Sequence, residues 1–212
     1  MFRSPPLPPV PSIETVRKEA RVLVIDDHVF PALTTFERDG YHFERWPSIK
    51  NLSQLTDGHY QLILLDINGV GLKESPDLQG LGILQHIKVT NPAQPVIVYS
   101  SKPQAITSNE YLKLADAVLD KGMSYVRYKE LVDELLLRRA TPGFFVAAMN
   151  RALAEDAVLA PKAVSKALKS FRQGRPDTLA QYLQNTISDP KKIDKIVTII
   201  GVGIKTVRLF AG

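Results

Sequence analysis

Five times between residues 21 and 121 a short apolar or β-branched run gives way to a stretch of different periodicity, and this alternation limits the fold more than any other feature of the chain. The runs are Val22-Leu23-Val24-Ile25, residues 41–46, Gln61-Leu62-Ile63-Leu64-Leu65-Asp66, Pro95-Val96-Ile97-Val98-Tyr99 and Ala117-Val118-Leu119-Asp120. Between and after them the spacing predicts helices over 29–39, closed by Gly40, from Ser48 as N-cap, over 80–88, near 104–114 and over 124–139. Alternation of this kind demands right-handed crossovers, so the expected fold is α/β, a five-stranded parallel doubly wound sheet with helices on both faces. The run ending at Asp66 is apolar at consecutive positions, as a strand buried on both faces must be.

In such a sheet, ligands bind beyond the carboxyl ends of the strands. Those ends carry Asp26-Asp27, Asp66, Ser100 and Lys121, which the topology brings to one rim. Three carboxylates with a main-chain carbonyl nearby are hard oxygen donors, the set that suits Mg2+. A carboxylate beside that metal can act as nucleophile towards a phosphoryl group, with the Lys121 ammonium and Ser100 hydroxyl contacting its oxygens. Taken singly each has a plainer reading: Asp26-Asp27 as a helix cap, Ser100 as a turn former, Lys121 as a surface charge. Their joint placement favours a site. His28, His42, His59 and His86 lack ligand spacing and are assigned structural or surface roles, and Trp46 is assigned to packing.

The motifs Val24-Ile25-Asp26-Asp27, Leu64-Leu65-Asp66, Val98-Tyr99-Ser100 and Leu119-Asp120-Lys121, in this order, resemble the receiver domain of bacterial two-component response regulators over residues 19–140. The resemblance implies a flavodoxin-like fold and a cytoplasmic signalling protein whose partner is a sensor histidine kinase or phosphotransfer protein. It further implies Asp66 as phospho-acceptor, Asp27 as a direct Mg2+ ligand, Asp26 as a ligand through water, the Asn68 main-chain carbonyl as a further ligand, Lys121 as the phosphoryl partner and Ser100 as the switch hydroxyl. Three features depart from the pattern. Gly122 follows the lysine where receivers usually carry proline, Val118 stands at the usual aromatic switch position, and the loop from Gly69 to Gln79 is long and lacks the common Met-Pro pair. Tyr99 is the residue that could substitute for the missing aromatic.

Two segments flank this unit. Residues 1–18 hold five of the fifteen prolines and are expected to be an extended, flexible arm. Residues 141–212 carry 11 Lys/Arg against 5 Asp/Glu, while 1–140 carry 16 and 17, so the basic excess belongs to the C-terminal part. There the pattern predicts a small all-α domain with helices over 144–157, 161–173, 177–186, 190–200 and 204–210. Its expected role is protein interaction or homodimerisation. Residues 192–208, with glycines at 201 and 203, are similar to the helix-turn-helix text of DNA-binding regulators, which makes DNA the alternative partner. Against this, Val207, Leu209 and Phe210 suit buried contacts better than base readout. A Mg2+-dependent phosphohydrolase is a further alternative, disfavoured because Asn68-Gly69 stands where those enzymes need an acid/base aspartate. The chain has no cysteine, hence no disulfide or thiolate metal site, and no apolar run of membrane-spanning length, so no membrane partner is expected.

Overall fold

The computed structural model describes residues 6–101 and 110–211, apart from the side chains of Glu155 and Ala157. Its contacts divide the chain into two compact units, Ile13–Leu136 on the one hand and Leu137–Gly212 with the described part of Met1–Ser12 on the other.

In the first unit, strands β1 (Arg21–Ile25), β2 (His42–Trp46), β3 (Leu62–Asp66), β4 (Val96–Ser100) and β5 (Ala117–Asp120) form one parallel sheet in the order β2-β1-β3-β4-β5. This is the flavodoxin-like order of doubly wound sheets. The central strands β3 and β4 are buried at every residue, whereas the edge strand β2 alternates between exposed and covered positions. Their sequences differ for that reason: Leu-Ile-Leu-Leu-Asp and Val-Ile-Val-Tyr-Ser against His-Phe-Glu-Arg-Trp. Leu23, Ile25, Ile63, Leu65, Val96 and Val98 face α3 (Gly80–Thr90) through Ile83, Leu84 and Ile87. The opposite face is aromatic: Phe30 stacks on Phe36 of α2 (Leu33–Arg38) and meets Tyr99 and Tyr128 edge-on, Tyr128 coming from α4 (Tyr125–Arg139).

Three expectations need correction here. Residues 13–18 are not part of an extended arm, because Ile13–Glu19 forms helix α1. Val16 is buried, Arg17 makes a two-pronged pair with Asp133 at 3.2 and 2.5 Å, and the proline-free, Glu/Arg/Lys-rich segment has good helix propensity. The helix expected from Ser48 is a single 3-10 turn, Ser53–Leu55. Asn51 accepts from the Ser53 amide at 2.9 Å and Asp57 from the His59 amide at 2.8 Å, local bonds that compete with helix propagation. The helix near 104–114 falls on residues outside the described set up to 109, and Glu110–Leu114 is 3-10.

The second unit consists of helices α5 (Pro142–Leu153), α6 (Ala160–Gln173), α7 (Asp177–Gln184) and α8 (Pro190–Leu209), with a 3-10 segment Ala154–Leu159 after α5. The two helices expected over 190–200 and 204–210 are one. Asp189 caps α8 by accepting from the Lys191 amide at 2.9 Å, and the helix runs without interruption through Gly201 and Gly203. Gly203 marks no turn: a Cβ there would stand 2.5 Å from Cγ of Phe145, so the glycine lets α5 and α8 approach closely. Ile204, Thr206, Val207 and Phe210 are buried. With the turn absent and that face inside the core, the helix-turn-helix reading of residues 192–208 is overturned.

Candidate functional site

The carboxyl ends of β1, β3 and β5 and the loops after them enclose a cleft of about 470 Å3. Asp26, Asp27, Asp66, Asn68 and Lys121 all line it, as do His28, Gly69, Tyr99, Ser101 and Tyr128. Ser100, the remaining residue expected there, is buried at the end of β4, and its carbonyl accepts from the Lys121 amide at 3.0 Å.

Asp26 and Asp66 are almost fully enclosed, at 1% and 3% exposure, a placement costly for carboxylates unless charges and donors compensate. Lys121 supplies the charge. Its Nζ lies 2.5 Å from Oδ2 of Asp66 and 2.9 Å from Oδ2 of Asp26, while the ring of Tyr99 passes 5.1 Å away. Donors complete the shell: the Tyr99 hydroxyl donates to Asp26 Oδ2 at 2.7 Å, the His28 amide to Asp26 Oδ1 at 2.8 Å and the Asn68 amide to Asp66 Oδ1 at 3.2 Å. Burial pushes the Asp26 carboxyl up, but the bonds from Lys121, Tyr99 and the His28 amide outweigh it and leave the group below the ordinary aspartate value. Desolvation pulls Lys121 down, and the bonds to Asp66 and Asp26 more than restore it, so the lysine stays charged. The Tyr99 phenol is raised far out of its usual range, first by burial and then by the Asp26 charge, and remains a donor.

Asp27 is half-exposed and sits against Gly69, where a Cβ would stand 2.5 Å from its Oδ2. Gly69 also has φ +77°, so two constraints coincide on one glycine. Its amide donates to Oε1 of Gln79 at 2.9 Å, which closes the long loop on itself. Gln79 takes φ +50°, an unfavourable value for a residue with a side chain, and the next residue leaves no room for one: a Cβ on Gly80 would lie 2.3 Å from the Asp66 carbonyl oxygen. The start of α3 is thereby pressed against the backbone of the central acid.

Three contributors escape sequence reasoning. Arg45, on edge strand β2, donates to the main-chain carbonyls of Asp26, Asp27 and His28 at 3.0, 3.1 and 2.9 Å and so fixes the acidic loop. Nothing in the sequence links an edge-strand arginine to a loop 17 or more residues away. Tyr99, singled out only as a substitute for the missing aromatic, also forms a buried wall of the cleft through its ring and hydroxyl. His28, assigned a structural or surface role, has Nδ1 2.8 Å from Oδ1 of Asp27. Its adjacency to the acid pair is the signal that could have found it.

Three carboxylates against one ammonium leave two surplus negative charges in the cleft, and every carboxylate donor is a hard oxygen. The residues therefore fit a small divalent cation such as Mg2+.

No protein-family model matches the chain, and no curated protein does. Among solved structures, a CheY-like response regulator receiver domain protein from Methanospirillum hungatei aligns at 24% identity over 55% of this chain and 93% of its own, with a TM-score of 0.45. The response regulator TrrA from Thermotoga maritima, in complex with Mg(2+)-BeF, aligns at 22% over 55% and 98%, TM-score 0.44. NtrX from Brucella abortus aligns at 23% over 55% of this chain and 26% of its own, TM-score 0.46. The structural neighbours are thus response regulator receivers, and the fold assignment itself rests on the strand order.

Proposed function

We propose that the chain is a two-component response regulator, phosphorylated on Asp66, whose receiver unit switches what its helical unit binds. The observation that carries the reading is the Lys121 bridge between two buried carboxylates, 2.5 Å from Asp66 and 2.9 Å from Asp26. Asp26, Asp27, Asp66 and the Asn68 main-chain carbonyl would hold Mg2+, which when bound supplies neutralisation of the surplus negative charge in the cleft and of the incoming phosphoryl oxygens.

Each residue has a part in the transfer. A carboxylate oxygen of Asp66 forms the bond to phosphorus as the phosphorus–nitrogen bond of a phosphohistidine donor breaks, and the departing imidazole nitrogen keeps the electron pair. Lys121 exchanges its contact with the Asp66 carboxylate for one with a phosphoryl oxygen. Asp26 retains its donors from Tyr99 and the His28 amide during that exchange, and so remains charged. The Ser100 hydroxyl would contact the phosphoryl group in the modified state. That shift of contacts is the bias between two conformations that a switch requires.

For the helical unit we infer a binding role, by docking a protein or pairing with a second copy. A separate observation favours a polyanion as a second reading. Helix α6 carries Lys162, Lys166, Lys169 and Arg172 and no acidic residue, and none of the four makes an ion pair among the described residues.

Incubating the intact protein with acetyl phosphate and Mg2+ and weighing it tests the switch. Wild type is expected to gain one phosphoryl mass and Asp66→Asn none; absence of the gain in wild type overturns the reading. Titration with a nonspecific DNA duplex at two salt concentrations tests the polyanion reading, which requires a steep fall in affinity with salt.

A further inference from the structure

We propose that the corner between α4 and α5 is a binding site for a small apolar anion, a carboxylate or sulfonate carried on an aromatic or aliphatic body. The inference stands independently of the phosphoryl chemistry proposed above.

Two doubled residues build the corner. Consecutive arginines, Arg138 and Arg139, close α4, and consecutive phenylalanines, Phe144 and Phe145, stand near the start of α5. The turn between the helices sets them side by side: Arg138 lies over Phe144 and Arg139 over Phe145, each guanidinium carbon 5.9 Å from its ring centre. Arg139 and Phe145 are fully enclosed, whereas Arg138 is exposed and Phe144 only half-buried. The outer pair is nevertheless held in place. The Phe144 ring stands edge-on to Phe145 at 5.2 Å, and the Thr141 hydroxyl donates to the Arg138 carbonyl at 3.2 Å.

Helix α5 supplies the other wall. It turns Phe145, Ala148, Met149 and Leu153 into the core, which leaves Phe144, Ala147 and Arg151 as a second stripe at helical spacing outside it. Between the phenyl ring and the guanidinium the alanine methyl is short, and a gap results. With Leu137, Arg138 and Thr141, these residues surround a recess of about 530 Å3, in the size range of small-molecule sites and wholly within the second unit.

The lining selects the ligand. Leu137, Phe144 and Ala147 are apolar, Arg138 and Arg151 are both positive, and no acidic residue lines the recess among the described residues. A guanidinium offers paired N–H donors to a carboxylate or sulfonate, and the Phe144 ring offers a face or edge to an apolar body. A cation would be repelled by both arginines. A neutral apolar molecule would fill the gap but forgo the charge-assisted bonds.

The test is fluorescence titration of the full chain with anilinonaphthalene sulfonate and, separately, with N-phenylnaphthylamine, the same ring system without the sulfonate. Wild type is expected to bind the sulfonate at a single site and the neutral compound roughly tenfold more weakly. Ala147→Leu fills the gap and Arg151→Gln removes a charge, and each should weaken the sulfonate roughly tenfold or more, while Lys191→Gln, elsewhere on the same unit, should leave it within about twofold. Ala147 and Arg151 are exposed helical positions, so both variants should keep the wild-type unfolding midpoint. If wild type does not bind the sulfonate, or if binding survives either substitution at the corner, the site falls. If the neutral compound binds as tightly as the sulfonate, the assignment of an anion is overturned.

Discussion

The two units bury charge of opposite sign and in different company. In the α/β unit the carboxylates of Asp26 and Asp66 are drawn below the surface, and the fold supplies an ammonium, a phenol and two main-chain amides to keep them there. In the helical unit the acids and lysines stay at or near the surface, and the interior is built on Phe145, Met149, Phe171, Ile196 and Ile200, with a glycine opposite the Phe145 ring and, as the enclosed charge among the described residues, the Arg139 guanidinium 5.9 Å from that ring's centre. Under the proposed function, buried acids are suited to a site that accepts a phosphoryl group, because their neighbours can be exchanged. The variants below attack this contrast from each side.

Phe145→Ala should have the largest effect. Phe145 is fully enclosed, faces Phe171 at 6.3 Å between ring centres and covers Gly203, so truncation is expected to cost about 3–5 kcal/mol in denaturant unfolding of the intact protein. The loss is one of apolar packing and of the face that the Arg139 guanidinium covers at 5.9 Å, and since arginine keeps its charge across this range the cost should be the same at pH 7 and pH 4.5. A pH-dependent cost would show that the helical interior is less apolar than described.

Tyr99→Phe is the counterpart in the α/β unit. It removes a bond to a charged, enclosed carboxylate, for which about 1.5–3 kcal/mol is expected at neutral pH. Here pH dependence is required. The Asp26 carboxyl lies below its ordinary value in the folded chain, so its stabilisation is present above the unfolded value of about 3.9 and is lost as pH falls through the lower folded value. Loss of the phenol moves the folded value back up. The gap between wild type and variant should therefore be full near pH 7 and close in acid, as read by unfolding midpoints across pH. A gap that persists in strong acid would mean that the Tyr99 hydroxyl stabilises the fold independently of the Asp26 charge.

The same contrast explains what can be read from the sequence. Buried parallel strands write themselves as continuous apolar runs, so β1, β3 and β4 are legible, the edge strand β5 is legible from its Ala-Val-Leu run, and their ends carry Asp26, Asp27, Asp66 and Lys121 in the text. Contacts that reach a loop from elsewhere leave no such mark. Arg45 is one charged residue among several on an edge strand, and the hydroxyl of Tyr99 is invisible behind its aromatic ring. Glycine misleads inside a helix: at 201 and 203 it suggests a turn, although helix α8 passes through both and only at 203 does the missing side chain relieve crowding. The sequence shows that a side chain is missing but not whether a turn or a neighbouring ring requires it.

That ambiguity gives the last test, a pair of substitutions two residues apart. A Cβ added at Gly201 would meet nothing within 4 Å, and the residue has helical neighbours on both sides, so Gly201→Ala should stabilise by about 0.5–1 kcal/mol through helix propensity alone. At Gly203 the added methyl meets the Phe145 ring at 2.5 Å, and Gly203→Ala should instead destabilise by about 1–3 kcal/mol. In the Phe145→Ala background the second penalty should largely vanish, because the atom that the methyl meets is gone, while the gain at Gly201 should persist. A turn at these glycines would make both substitutions unfavourable and indifferent to Phe145. Opposite signs, with coupling confined to Gly203, are what a single helix packed on Phe145 requires.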